Sequence, residues 1–154
     1  MQKEKILLIE GHDFYRTRFR QGLISQNYEV VCYRSAENFD QLVQREAPYL
    51  VMADVTQLGL DPGDIEGKTC PVLEHCQAFY PWLPIVLMAE RSEPIDPLER
   101  RWAVEQGAVD FIVKRVDRME LMLQRVHDLL RPGTKLNRNA LLAAYAQSTS
   151  FKLT

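Results

Sequence analysis

The chain has 154 residues, 46% hydrophobic and 26% charged, which is enough for one packed core and gives no compositional sign of disorder. Its net charge of -2, without a dense lysine and arginine run, excludes an electrostatic case for direct nucleic-acid or membrane-surface binding. No apolar stretch has the length of a membrane span or forms a signal-peptide core, so we expect a cytoplasmic protein whose three cysteines stay reduced.

Strand-like and helix-like patterns alternate along the chain. Apolar and β-branched runs predict five strands, at 6–9, 28–33, 49–54, 84–88 and 109–114. Helical spacing predicts five helices, from Asp13 to near Asn27, from Ser35 to before Pro48, from about Gly67 to Tyr80, from Asp96 to Gly107, and from Asp117 to before Pro132. We expect Ser35 to cap the second helix, and Asp117 with Glu120 to form a capping box for the fifth.

Strict alternation with short connections predicts a doubly wound α/β fold with helices on both faces of a parallel sheet. Five strands favour the flavodoxin-like order 2-1-3-4-5, which places the switch point between strands one and three. We expect one domain at 1–132 and a C-terminal tail at 133–154. Within the tail, Leu136 to Tyr145 has the pattern of one further amphipathic helix, which would serve as a docking element or a linker.

Two predicted strands end in a charged residue. Asp54 closes the run that begins at Leu50, and Lys114 closes the run that begins at Phe111. Because parallel strands place their carboxyl ends at one edge of the sheet, the two side chains are expected in one crevice. An acid and a base in one crevice fit either an enzyme or a binding site.

The order and spacing of four segments resemble the receiver domain of two-component response regulators, the CheY-like superfamily. The segments are Ile6–Glu10 with Arg16 six residues later, Tyr49–Asp54, Pro84–Ala89 and Gly107–Lys114, and the resemblance covers roughly Lys5 to Leu130. It implies that Asp54 is the phosphoacceptor, that Glu10, Asp54 and the Thr56 carbonyl hold Mg²⁺, and that Lys114 is the phosphate-binding lysine. It also places Met88 at the Ser/Thr switch position and Phe111 at the switch aromatic.

The chemistry that the resemblance implies has a physical basis. The resemblance does not imply an enzyme. A carboxylate that attacks phosphorus needs its charge and the charge of the phosphoryl oxygens offset, which a Mg²⁺ and an ammonium can do. Lysine suits this role as a point charge on a flexible stem.

Three positions depart from the family pattern. Gly11 replaces the second acid, so the affinity for Mg²⁺ should fall. Met88 has no O–H to donate, and a hydrogen bond to a charged group contributes about 1.5–3 kcal/mol, as much as a whole allosteric coupling of about 1–3 kcal/mol. Arg115 replaces a proline, and a cis bond there would cost about 2.5–4 kcal/mol, so we expect a trans peptide and a shifted loop.

Several other groups have two interpretations. His12 is a poor ligand for a hard cation, and Asp13 is expected to cap the first helix rather than bind metal. The acidic loop of Asp61, Asp64 and Glu66 is either a substitute metal arm or, as we favour, a surface turn. Cys70, His75 and Cys76 could be metal ligands, but the two cysteines do not share a helix face and zinc needs four converging ligands, so core or surface cysteines are favoured. Exposure of Trp102 would indicate an interface, and its burial would indicate packing.

The leading hypothesis is a divergent receiver that regulates through protein-protein interaction, with weakened phosphorylation switching. Expected partners are a histidine kinase or another signalling protein, and a second copy through the face of helix 4, strand 5 and helix 5. One alternative is a fully functional receiver phosphorylated on Asp54 by a histidine kinase. The other is a phosphohydrolase with Asp54 as nucleophile. It is disfavoured because the nucleophile motif of haloacid-dehalogenase-type phosphatases needs a second acid where Thr56 stands.

Overall fold

The computed structural model describes residues 3–131 and 138–153, and the side chains of 3–131 and 139–147. One sheet of five parallel strands has the order β2-β1-β3-β4-β5, as predicted. The strands are β1 (Lys5–Ile9), β2 (Glu29–Tyr33), β3 (Leu50–Asp54), β4 (Ile85–Ala89) and β5 (Asp110–Val113). The flavodoxin-like fold class is therefore confirmed.

One α-helix follows each strand, and a sixth helix follows the fifth. They are α1 (Asp13–Ser25), α2 (Phe39–Glu46), α3 (Pro71–Phe79), α4 (Pro97–Glu105), α5 (Met119–Leu130) and α6 (Arg138–Leu153). Two short 3₁₀ helices, Val55–Leu58 and Val116–Arg118, follow β3 and β5. Within the described residues, no helix has the length and apolar character that a membrane span requires.

The sheet separates two apolar cores because successive strand side chains point to opposite faces. Alternate residues of β1, β3 and β4, such as Leu7, Val51 and Leu87, pack against α2, α3 and α4. Their neighbours, such as Leu8 and Met52, pack against α1 and α5. These three central strands are buried on both faces, which explains their continuous apolar runs. Polar groups can therefore reach the crevice only where the strands end.

The first helix begins differently from the prediction. His12 is its N-cap, and the His12 Nδ1 accepts a hydrogen bond from Phe14 N at 3.2 Å. Asp13 is instead the first helical residue, and its carboxylate pairs with Arg16 and Arg34. The prediction of Asp13 as the cap was wrong because these ion pairs compete with the capping geometry.

Two further caps also differ. Helix α2 begins at Phe39, after Asn38 in the left-handed region at φ 57°, so Ser35 does not cap it. No side chain caps α5, because the Asp117 carboxylate pairs with Arg115 at 2.9 Å. By contrast, α4 carries a complete capping box between Asp96 and Glu99. Caps are local alternatives of similar energy, so ion pairs of the candidate side chains can decide between them.

Helix α6 packs against the core on the α2 and α3 side. Leu141 and Tyr145 are buried there, and the Tyr145 hydroxyl donates to the Pro48 carbonyl at 2.6 Å. The Tyr145 ring also meets Tyr80 and Trp82 at centroid distances of 6.0 and 5.4 Å. The predicted helix start at Leu136 and the domain boundary after residue 132 lie outside the described residues.

Candidate functional site

Three charged side chains meet at the carboxyl edge of the sheet. Glu10 follows β1, Asp54 ends β3 and Lys114 follows β5, and their exposed fractions are 0%, 5% and 4%. In the described part of the chain these are the buried charged residues. Strands β1 and β3 are neighbours at the centre of the sheet, so Glu10 and Asp54 lie side by side. Lys114 follows β5, two strands beyond β3, and its long side chain reaches both carboxylates.

The ammonium of Lys114 binds Glu10 more closely than it approaches Asp54. Its Nζ lies 2.8 Å from Glu10 Oε1 and 3.1 Å from Glu10 Oε2, but 3.5 Å from Asp54 Oδ2. The ring of Tyr15 lies against the same ammonium, with its centroid 4.8 Å from Nζ. A buried charge needs such compensation, and here a carboxylate and an aromatic face provide it.

Hydrogen bonds with nearby residues hold Glu10 and Asp54 in position. His12 N donates to Glu10 Oε2 at 3.0 Å, and the Arg16 guanidinium donates to the Glu10 carbonyl at 3.0 Å. Asp54 Oδ1 accepts from Thr56 N at 3.3 Å, so Asp54 caps the 3₁₀ helix that follows it. The Asp54 carboxylate is thus positioned at the start of a helical turn, with its other oxygen toward Lys114.

The position after Glu10 supplies no second acidic ligand for a Mg²⁺. Gly11 offers no ligand, and a Cβ built on it would lie 2.5 Å from Gln57 Nε2, so the Gln57 amide fills the place where an acidic side chain would begin. Asp13 is held by arginines, and the hydrogen bond from Arg16 lowers its pKa. No three His, Cys, Asp or Glu side chains converge anywhere in residues 3–131 and 139–147 to hold a metal ion.

The end of β4 carries Ala89 rather than Met88. Met88 pairs with Asp54 in the sheet register, but its side chain is fully buried in the core against α1 and α5. Ala89 is the last strand residue and lies on the same face as Phe111, and its carbonyl accepts from Lys114 N at 2.8 Å. The Met88 side chain thus lies in the core, and its assignment to the switch position stays a prediction. Neither residue has a hydroxyl, so the donor is missing in both assignments.

Phe111 is fully buried beneath the loop that follows β4. Its ring centroid lies 6.3 Å from that of Trp102, and the Arg91 guanidinium carbon lies 5.9 Å from it. Trp102 is 4% exposed and donates from Nε1 to the Lys68 carbonyl at 2.7 Å, which is ordinary packing. Arg115 is joined by a trans peptide bond, as expected, and pairs with Asp117 outside the crevice.

The remaining candidates have structural roles. Asp61 Oδ1 accepts from Gly63 N at 2.9 Å, so the acidic loop is a surface turn. His75 Nε2 lies 2.8 Å from Asp40 Oδ1. Cys70 and Cys76 are buried, and burial raises the pKa of the Cys76 thiol to about 12. Sequence reasoning missed the contacts of Tyr15, Gln57 and Arg91, because they join segments far apart in the chain and have no local motif.

Curated transcriptional regulators are similar to this chain in sequence. No family model matches the chain. The transcriptional regulatory protein AfsQ1 of Streptomyces coelicolor is 29% identical over 130 residues, 84% of this chain and 52% of that protein. The probable transcriptional regulator ycf27 of Porphyridium aerugineum is 30% identical over 139 residues, 90% of this chain and 53% of that protein. The chain thus spans about half the length of these curated relatives.

A solved structure agrees in fold. The response regulator from Thermotoga maritima superposes with a TM-score of 0.66 at 16% identity, over 84% of this chain and 98% of that one. The chain is thus similar in sequence to response regulators, and its flavodoxin-like fold is the fold of CheY-like receiver domains.

Proposed function

We propose that this receiver domain is a signal-transduction regulator in a two-component phosphorelay that acts through protein-protein contacts and switches only weakly on phosphorylation. The observation that carries the proposal is the buried ion pair between Lys114 and Glu10 beside Asp54, with Gly11 rather than an acid after Glu10 and Ala89 rather than a hydroxyl residue at the end of β4. The domain has no catalytic function of its own in this proposal.

The ion pair between Lys114 and Glu10 should weaken any structural response to phosphorylation of Asp54. A phosphoryl group on Asp54 would compete with the fully buried Glu10 carboxylate for the ammonium of Lys114. A buried carboxylate that loses its cation is strongly destabilised, so the two carboxylates compete for one charge. At the end of β4, the methyl of Ala89 offers no hydrogen bond that would draw the loop toward the new oxygens.

The partner surface in this proposal is the α4–β5–α5 face. An open groove of about 610 Å³ lies there, lined by apolar residues of β5 and α5, among them Ile112 and Leu121, and by Arg100, Arg115, Arg118 and Arg125. Leu121 is 59% exposed, which is high for a large apolar side chain. A histidine kinase, another signalling protein or a second copy of the chain would bind here. The names of the curated relatives add transcriptional output as a proposal for the whole protein.

A fully switching receiver is the alternative. It is favoured by the distance of 3.5 Å between Lys114 Nζ and Asp54 Oδ2, which places the cation within reach of a phosphorylated Asp54. In this case a histidine kinase phosphorylates Asp54 and the loop after β4 responds.

One experiment separates the two. The protein and its Asp54→Ala variant are treated with a small phosphodonor, or with beryllofluoride and Mg²⁺, while the intact mass and the tryptophan fluorescence are followed. Trp102 is the reporter because its ring packs against Phe111. Weak switching predicts little or no fluorescence change, even where the mass shows a modified Asp54. A saturable change that is lost in Asp54→Ala contradicts the proposal and establishes the alternative.

A further inference from the structure

Arg91 is the most extensively bonded side chain in the loop between β4 and α4. Its Nε donates to the Glu93 carbonyl at 3.1 Å, and its Nη2 donates to the Pro94 carbonyl at 2.9 Å. Its Nη1 donates to the Pro62 carbonyl at 3.0 Å and to Glu99 Oε2 at 2.6 Å. With a further bond to the other oxygen of Glu99, all five N–H donors of the guanidinium are used.

These bonds connect three separate segments. Pro62 belongs to the turn after β3, Glu93 and Pro94 belong to the loop after β4, and Glu99 lies in the first turn of α4. The forked, planar guanidinium is suited to this task because its donors are held in one fixed arrangement.

We call Arg91 with its hydrogen-bond partners the clamp. Glu99 connects the clamp to helix α4. Its Oε1 accepts from Asp96 N at 3.1 Å, which completes the capping box, and also binds Arg91. The side chains of Arg91 and Glu99 are only 10% and 13% exposed, so solvent screens the pair little. The hydrogen bond from Arg91 lowers the pKa of Glu99. The start of α4 is therefore set by a partly buried, bidentate ion pair.

The clamp lies between the Asp54 crevice and the α4–β5–α5 face. Ala89, the residue that precedes the loop, accepts the backbone hydrogen bond of Lys114. The same guanidinium lies over the ring of Phe111, which is fully buried. Movement of the loop in response to Asp54 would have to break these bonds or carry both loops and α4 along.

We propose that Arg91 is a positioning residue that locks the loop 90–96 and the start of α4 in one arrangement, so that the α4–β5–α5 face keeps one shape whatever the chemical state of Asp54. This inference rests on the proposed function, since it explains how a receiver can present a partner surface while it switches weakly. Arg91, which lies outside the Asp54 site, would thus keep the shape of the α4–β5–α5 face constant.

Amide hydrogen exchange of the full chain, read by mass spectrometry on peptides, tests the lock. Arg91→Ala should raise the exchange rate across 90–105 by roughly tenfold or more, while peptides of β1 stay unchanged and report that the core is intact. Glu99→Gln keeps the shape of the side chain and should give a smaller rise in the same peptides. Arg115→Ala is the matched control, because Arg115 also pairs with a carboxylate but lies on the exposed surface.

The possible results have separate meanings. Unchanged exchange across 90–105 in both Arg91→Ala and Glu99→Gln overturns the lock and leaves the proposed function in place. An equal rise in Arg115→Ala also overturns it, since the effect would then belong to any arginine of this face. If beryllofluoride with Mg²⁺ alters exchange across 90–105 in the unmodified chain, and not in Asp54→Ala, then the weak switching of the proposed function is itself wrong.

Discussion

Lys114 and Glu10 are 104 residues apart in the chain, and they form a buried ion pair in which Nζ meets both carboxylate oxygens, at 2.8 and 3.1 Å. Asp54 stands beside this pair at 3.5 Å and shares the same ammonium. The crevice therefore contains two carboxylates and one cation, and the behaviour of Asp54 depends on how firmly Glu10 holds that cation.

Removal of the Lys114 charge should destabilise the fold. Lys114→Met keeps much of the side-chain volume but leaves Glu10 buried without a cation, which costs about 3–5 kcal/mol of unfolding free energy. The double variant Glu10→Gln with Lys114→Met should recover a large part of this loss. Urea denaturation measures both. Lys5→Met is the control, because Lys5 pairs only at 3.6 and 3.8 Å near the surface and should cost about 1 kcal/mol or less. Equal costs for the two lysines would contradict the prediction.

A divalent-cation site should be recoverable at Gly11. Gly11→Asp supplies the missing carboxylate, and Gln57→Ala removes the amide that a Cβ at position 11 would meet at 2.5 Å. The double variant should bind Mn²⁺ or Mg²⁺ at least about tenfold more tightly than the unmodified chain, a gain of about 1.4 kcal/mol. Water-proton relaxation with Mn²⁺ gives the affinity, and Gln57→Ala alone is the control. The prediction fails if the affinity does not rise.

The missing hydroxyl should be restored at Ala89 rather than at Met88. In the Gly11→Asp and Gln57→Ala background, Ala89→Ser should increase the fluorescence response of Trp102 to beryllofluoride, because a hydroxyl at the strand end can donate to the bound group. Met88→Ser is the matched control. Its side chain lies in the core against α1 and α5, so it should lose about 2–5 kcal/mol of stability without a gain in response. A larger response in Met88→Ser would return the switch position to Met88.

The docking of α6 should contribute measurably to stability. Tyr145→Phe removes the hydroxyl that donates to the Pro48 carbonyl at 2.6 Å and should cost about 1–3 kcal/mol, because that carbonyl loses a buried donor. Tyr145→Ala should cost more, about 3–5 kcal/mol, through the loss of ring packing. Leu142→Ala changes a residue that is 43% exposed and should stay within about 0.5 kcal/mol. A cost for Leu142→Ala equal to that for Tyr145→Ala would show that α6 docks by another face.

The strands and their charged ends were predictable because they depend on local pattern. A parallel sheet buried on both faces requires continuous apolar runs, and these runs fix where Asp54 and Lys114 emerge. The helix caps at Asp13, Ser35 and Asp117 were predicted wrongly. Each has a suitable side chain, but ion pairs with arginines or the left-handed backbone at Asn38 determined the outcome.

Local residue pattern was enough to predict the five strands, and the residue at position 11 is read directly as Gly11. The folded structure was needed to show that Lys114 binds Glu10 and that Gln57 lies against Gly11. It was also needed to show that Ala89 ends β4 on the Phe111 side and that Arg91 joins two loops to α4. The two kinds of information differ in the range over which their interactions act. Hydrophobic periodicity and turn chemistry act over a few neighbouring residues, whereas the pairing of buried charges depends on which distant strand ends and loops the folded sheet brings together.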